Sequence, residues 1–84
     1  MTEYSKFHGD SVKHDYSKLR DAIKEHFGKQ SVFADLMGLS ERSVSLKLNN
    51  MRCWTQDEMR TFCNLLGIEY TEIPKYFFVF NVQK

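Results

Sequence analysis

Long apolar runs, cysteines at metal-ligating spacing and a strong excess of either charge are all missing from this chain of 84 residues. No stretch reaches the roughly eighteen apolar residues that a spanning helix needs, and the polar residues 1–15 lack the apolar centre of a signal peptide. A cytoplasmic location with no membrane contact is expected. Cys53 and Cys63 form no CxxC pair, and thiols in the cytoplasm are ordinarily reduced. His8, His14 and His26 have no ligand partners at a metal spacing, and no Gly-rich phosphate loop, nucleophile elbow or paired carboxylates can be found. The reading is therefore of a non-enzyme without metal, cofactor or small-molecule ligand. Net charge is only +1, too little for binding to nucleic acid through bulk field alone.

Aromatic residues are abundant: seven Phe, four Tyr and Trp54. They allow a dense core in a chain near the lower size limit for folding without staples. Residues 1–14 show no periodicity and read as a disordered arm, although Lys6 and Lys13 can reach phosphate. A first helix is expected over residues 16–26, capped by Asp15, with Leu19, Ile23 and Phe27 inward and Gly28 ending it. The run Thr55-Gln-Asp-Glu58 is a capping box that starts another helix, with Met59, Phe62, Cys63 and Leu66 on one stripe and Gly67 at its end. A short last helix is expected near residues 72–77, with Pro74 in its first turn.

Residues 30–50, QSVFADLMGLSERSVSLKLNN, carry the most information. They read as two short helices joined by a tight turn. Ala34 falls four residues after Gln30 and keeps the crossing close; Gly38, four further on, can take the left-handed conformation that reverses the chain. Ser40 is placed to cap the second helix, and Leu39, Val44 and Leu48 face inward. This spacing, with Asn49-Asn50 and the later TQDEMRTFCNLLGI, resembles the DNA-binding domain of the lambda-repressor-like family, especially its phage Cro/repressor members. The likeness spans residues 16–78. Lys47 departs from it, standing three after Val44 where that family has an apolar residue.

The resemblance implies an all-α, five-helix domain over residues 15–78 that contains a helix-turn-helix and is followed by a tail at 79–84. It further implies a transcription regulator of Cro type in a bacterial host, binding a palindromic double-stranded operator as a homodimer. Helical geometry at about 100° per residue turns Arg42, Ser43, Ser45, Leu46 and Asn49 outward, an arc that can enter a major groove. There Arg42 can pair with guanine, Ser45 can reach a base edge or phosphate, and Leu46 can meet a thymine methyl. Glu41 can accept from cytosine or favour the helix dipole. Gln30 resembles the family's phosphate-binding glutamine, Ser40 sits at the helix start, and Asn49, Asn50 and Arg52 suit backbone contacts. Glu41, Ser43 and Lys47 fit a solvated role equally, and Asn50 fits a turn. Residues 29–54 carry Lys29, Arg42, Lys47 and Arg52 against Asp35 and Glu41, a balance of +2, whereas residues 55–84 balance at −1.

Residues 76–82, YFFVFNV, are too apolar for a frayed end. Read as a strand, they place Tyr76, Phe78, Phe80 and Val82 on one face. A lone strand leaves both edges unpaired, so these residues either pair with a second subunit or fold back over their own helices. A second function class also fits: a helix-turn-helix module that binds protein, as an antitoxin or an antirepressor partner does.

Overall fold

At three helix starts in this chain, near Ser17, Glu41 and Gln56, a side chain answers an amide left open in the first turn. The computed structural model describes residues 12–82. It runs β1 (Val12–His14), α1 (Ser17–Phe27), α2 (Gln30–Met37), α3 (Glu41–Leu48), α4 (Gln56–Leu66), a 3-10 turn (Tyr70–Glu72), α5 (Ile73–Phe77) and β2 (Phe80–Val82). Asp15 Oδ1 accepts from Ser17 N at 2.9 Å and from Ser17 Oγ at 2.6 Å, and these bonds hold its carboxyl below the usual range. Ser40 caps α3 by accepting from Ser43 N. At α4 the capping box is complete in both directions, Thr55 Oγ1 accepting from Glu58 N and Glu58 Oε1 from Thr55 N. Gly38 ends α2 at φ 72°, ψ 28°, where any other residue would meet a Cβ penalty.

The helices close around Phe33, Phe62 and Phe77, which are fully buried with Leu19, Val44 and Cys63. Phe62 meets Phe77 edge-on at 5.3 Å and Phe33 at 6.2 Å, and Trp54 meets Phe77 at 5.4 Å. Offset and edge contacts of this kind add to the burial itself, because ring edges and faces carry opposite partial charge. Met59 and Cys63 are buried as the α4 stripe requires. Burial, with Glu72 as a lesser influence, pushes the Cys63 thiol up, while Cys53 is exposed. The all-α reading with five helices agrees with this architecture.

The two ends of the chain depart from the sequence reading. Residues 12–14, taken as part of a disordered arm, form β1 and pair antiparallel with β2 in the register Val12↔Val82, Lys13↔Asn81, His14↔Phe80. The rest of that arm, Lys6 and His8 included, lies outside the described residues. The strand expected from residue 76 begins only at Phe80, because Tyr76 and Phe77 belong to α5. Tyr76 is half-buried and packs edge-on against Phe62 at 5.1 Å, so it does not share a free face with Phe78 and Phe80. Within the chain, β2 pairs with β1 rather than folding back over the helices. The alternation rule failed here because a helix of five residues beginning at Ile73 overrides it.

Tyr16 joins ribbon to core. It is buried, and its hydroxyl is pushed up to about 12, mainly by burial and secondarily by Cys53. The His14 ring stacks on it with centroids 5.4 Å apart.

Candidate interaction face of the helix pair

The turn between α2 and α3 is tied by Leu39 N donating to Ala34 O at 2.9 Å and Gly38 N to Asp35 O at 3.1 Å. Ala34 is buried where the helices cross. On the outer side Gln30 Nε2 donates to Ser45 Oγ at 2.7 Å, joining the start of α2 to the middle of α3. Glu41, Arg42, Asn49 and Arg52 are exposed, as is Ser40, whereas Gln30, Ser43, Ser45 and Leu46 are half-buried. The outward arc deduced from helical periodicity is thus brought together on one surface.

Much of the polar chemistry on that surface is directed inward. Arg52 Nη1 donates to Ser43 Oγ at 3.2 Å, and Ser40 Oγ lies 3.0 Å from the same hydroxyl. Asn49 Nδ2 donates to Ser45 O at 2.8 Å, and its Oδ1 accepts from Arg20 Nη2 at 3.1 Å. The same Arg20 nitrogen donates to Leu48 O at 3.0 Å, neutralising a carbonyl that the end of α3 leaves open. Asn50 takes a left-handed turn at φ 63°, and its side chain bonds to His14.

Lys47 corrects the solvated reading. It is buried, with Nζ donating to Cys53 O at 2.9 Å and lying 3.1 Å from Glu58 Oε1. The ammonium also sits 5.7 Å from the centre of the Trp54 ring. A buried cation persists only when it is paired and hydrogen-bonded, and here the partner is the carboxylate of the α4 capping box. Its signal in the sequence was the departure itself, a lysine three after Val44. Arg20 gave no such signal, since it stands on the polar side of α1 far from α3 in sequence.

Apolar residues also reach solvent beside the pair. Val32 and Leu36 on α2 are 41% and 53% exposed, and Met51 after α3 is 71% exposed. Ser31, Val32, Asp35, Leu39, Ser40 and Glu41 line a shallow cleft of about 320 Å³, with Ala34 at its floor. Both charged residues of this cleft are acidic. Among the described residues no group of His, Cys, Asp and Glu is arranged to hold a metal ion, and no helix is long and apolar enough to cross a membrane.

Comparison with known proteins corrects the family. Residues 12–79 match the model of a family described as "Protein of unknown function (DUF739)", and the chain belongs to that family. A solved structure, the modulator of repression (MOR) of the temperate bacteriophage TP901-1 from Lactococcus lactis, is 49% identical. The match covers 77% of this chain and 88% of that one, with a TM-score of 0.67. No curated protein matches. The lambda-repressor-like family of Cro type is therefore not the family of this chain. The misleading signal has a physical origin: the Gln30, Ala34, Gly38 and Val44 spacing reports how two short helices cross around a left-handed turn, and any chain that builds such a pair needs it.

Proposed function

We propose that this member of the DUF739 family is a phage regulator that alters repression by docking on a regulatory protein, a phage repressor, through the face of α2 and α3. The observation that carries this reading is the 49% identity to a modulator of repression across 88% of that protein. A protein that modulates repression acts on what a repressor does. The chemistry of the face supports a protein partner. Lys47 is buried against Glu58, and Arg20 and Arg52 are engaged with Asn49, Leu48 O and Ser43. Asp35 and Glu41 flank exposed Val32 and Leu36. Carboxylates repel phosphate, and half-exposed aliphatic side chains gain from being covered by protein. DNA affinity, by contrast, rests on several cations free to meet phosphates.

Direct reading of double-stranded DNA is the second proposal, favoured by the Gln30–Ser45 bond and by exposed Arg42 on the outward arc of α3. In that reading Arg42 would pair with guanine, and Ser45, Leu46 and Asn49 would lie along the groove. Ser40, Glu41 and Ser43 would approach at the start of α3, and Gln30, Asn50 and Arg52 would hold backbone. A homodimer would then be required to cover a palindrome.

A gel-shift series separates the two. The phage repressor is titrated onto its operator with and without this protein, and the protein alone is offered random duplexes at about 100 mM salt, where specific complexes persist. The expected result is a changed repressor–operator affinity and no sequence enriched by the protein alone. Enrichment of a DNA motif without the repressor would replace the first proposal by the second.

A further inference from the structure

Asn50 is, among the described residues, the one non-glycine at positive φ, 63°. Asparagine tolerates that conformation but glycine adopts it with less cost, so the turn alone does not explain the side chain. What the side chain does is specific. Its Oδ1 accepts from His14 N and its Nδ2 donates to His14 O, both at 3.1 Å and across 36 residues of sequence. This two-way pairing is what a neighbouring strand would offer, and it closes the outer edge of β1 at His14. The inner edge is bonded to the other end of the chain through the β1–β2 register and through Asp15 N donating to Val79 O at 2.7 Å. Meanwhile Asn50 N donates to Lys47 O at 3.3 Å and Met51 N to Leu46 O at 2.8 Å, closing the end of α3. A single residue thus joins the exit of α3 to the ribbon.

Of the ribbon side chains that are described, Lys13 and Phe80 are exposed and His14 is half-buried. We infer that Asn50 is a positioning residue for the helix-pair face: by clamping β1 it fixes the course of residues 49–52, including exposed Met51 and Arg52, and so the surface that a partner meets beyond α3. This rests on the reading that the helix-pair face is what the partner contacts.

Asn50→Gly is the informative variant, because it keeps or relaxes the turn and deletes only the amide bridge. Amide exchange at Asp15, which is not bonded to Asn50, should accelerate roughly tenfold, because the ribbon it borders opens more often once the amide bridge is gone. The thermal midpoint should move by only a few degrees, and affinity for the phage repressor should fall several-fold. Asn50→Asp, which retains the acceptor and loses the donor, should fall between. A chain ending at Val79 removes β2 and should weaken binding similarly, with Asn50→Gly adding little in that background, because both changes release the same clamp. Unchanged Asp15 exchange, accelerated exchange with unaltered affinity, or losses that add in full would each overturn the assignment. If Asn50→Gly proves too unstable to compare, the Val79 chain and Asn50→Asp supply the same contrast. Absence of any binding by the natural protein would count against the proposed function, while the exchange measurement would still decide whether Asn50 holds the ribbon.

Discussion

The helical body and the β-ribbon are held by different physics. Within the body, ends are set locally, by Ser40 over α3, Thr55 and Glu58 over α4, and Gly38 and Gly67 in left-handed conformations. Its interior is a set of interlocking rings around Phe62. The ribbon has strands of three residues drawn from opposite ends of the chain, and a two-stranded piece of this length is marginal in water. It persists because it leans on the body at two points, the Asn50 amide and the stacking of His14 on Tyr16. The body needs only its own sequence neighbours and a common core; the ribbon needs the body first. Contacts that close long loops carry an entropy cost that local ones avoid.

The sharpest way to break this contrast is Phe62→Ala, which removes the ring touched by Phe33, Tyr76 and Phe77. It should cost about 3 to 5 kcal/mol, enough to unfold much of so small a domain, as read by far-ultraviolet circular dichroism and denaturant titration. A loss below about 1 kcal/mol would mean that the core is not organised around this residue. Lys47→Met comes next. It should cost about 2 kcal/mol, less than a fully buried pair because Glu58 keeps its bond to Thr55 N, and adding Glu58→Gln should recover part of the loss. If the double variant is as unstable as the sum of the singles, the ion pair is not what matters there. Smallest is Phe80→Asp, in the half-exposed ribbon. The melting midpoint of the body should shift by the equivalent of less than about 1 kcal/mol, the usual range for changes outside the core. Meanwhile exchange at Asp15 should rise. A collapse of the helical melt would show that ribbon and body form one cooperative unit and would erase the distinction.

Legibility in the sequence followed the same division. The α4 capping box, the Gly38 turn and the inward residues Val44 and Leu48 could be read because each depends on residues within about four positions. The outward arc from Arg42 to Asn49 could be read for the same reason. Lys47 was misjudged because burial of a cation depends on Glu58 and the Cys53 carbonyl arriving from the next segment. Tyr76 stood in two overlapping readings, the short helix near residues 72–77 and the strand from residue 76, and Pro74 in a first turn with a site against Phe62 decides for the helix. The likeness to Cro-type repressors failed for a different reason: motif spacing encodes a crossing geometry, and relatives are told apart by the whole chain.

By itself, the sequence determined the all-α character, the helix starts and stops and the face that α3 turns outward, since capping, left-handed turns and a period of 3.6 residues are short-range effects. Tertiary structure alone decided that residues 12–14 and 80–82 pair, that Asn50 clamps them, that Arg20 tends the end of α3 and that Lys47 is internal. Each of those needs a partner dozens of residues away or on a different element, and no local rule specifies a bond until packing has brought both ends to the same place.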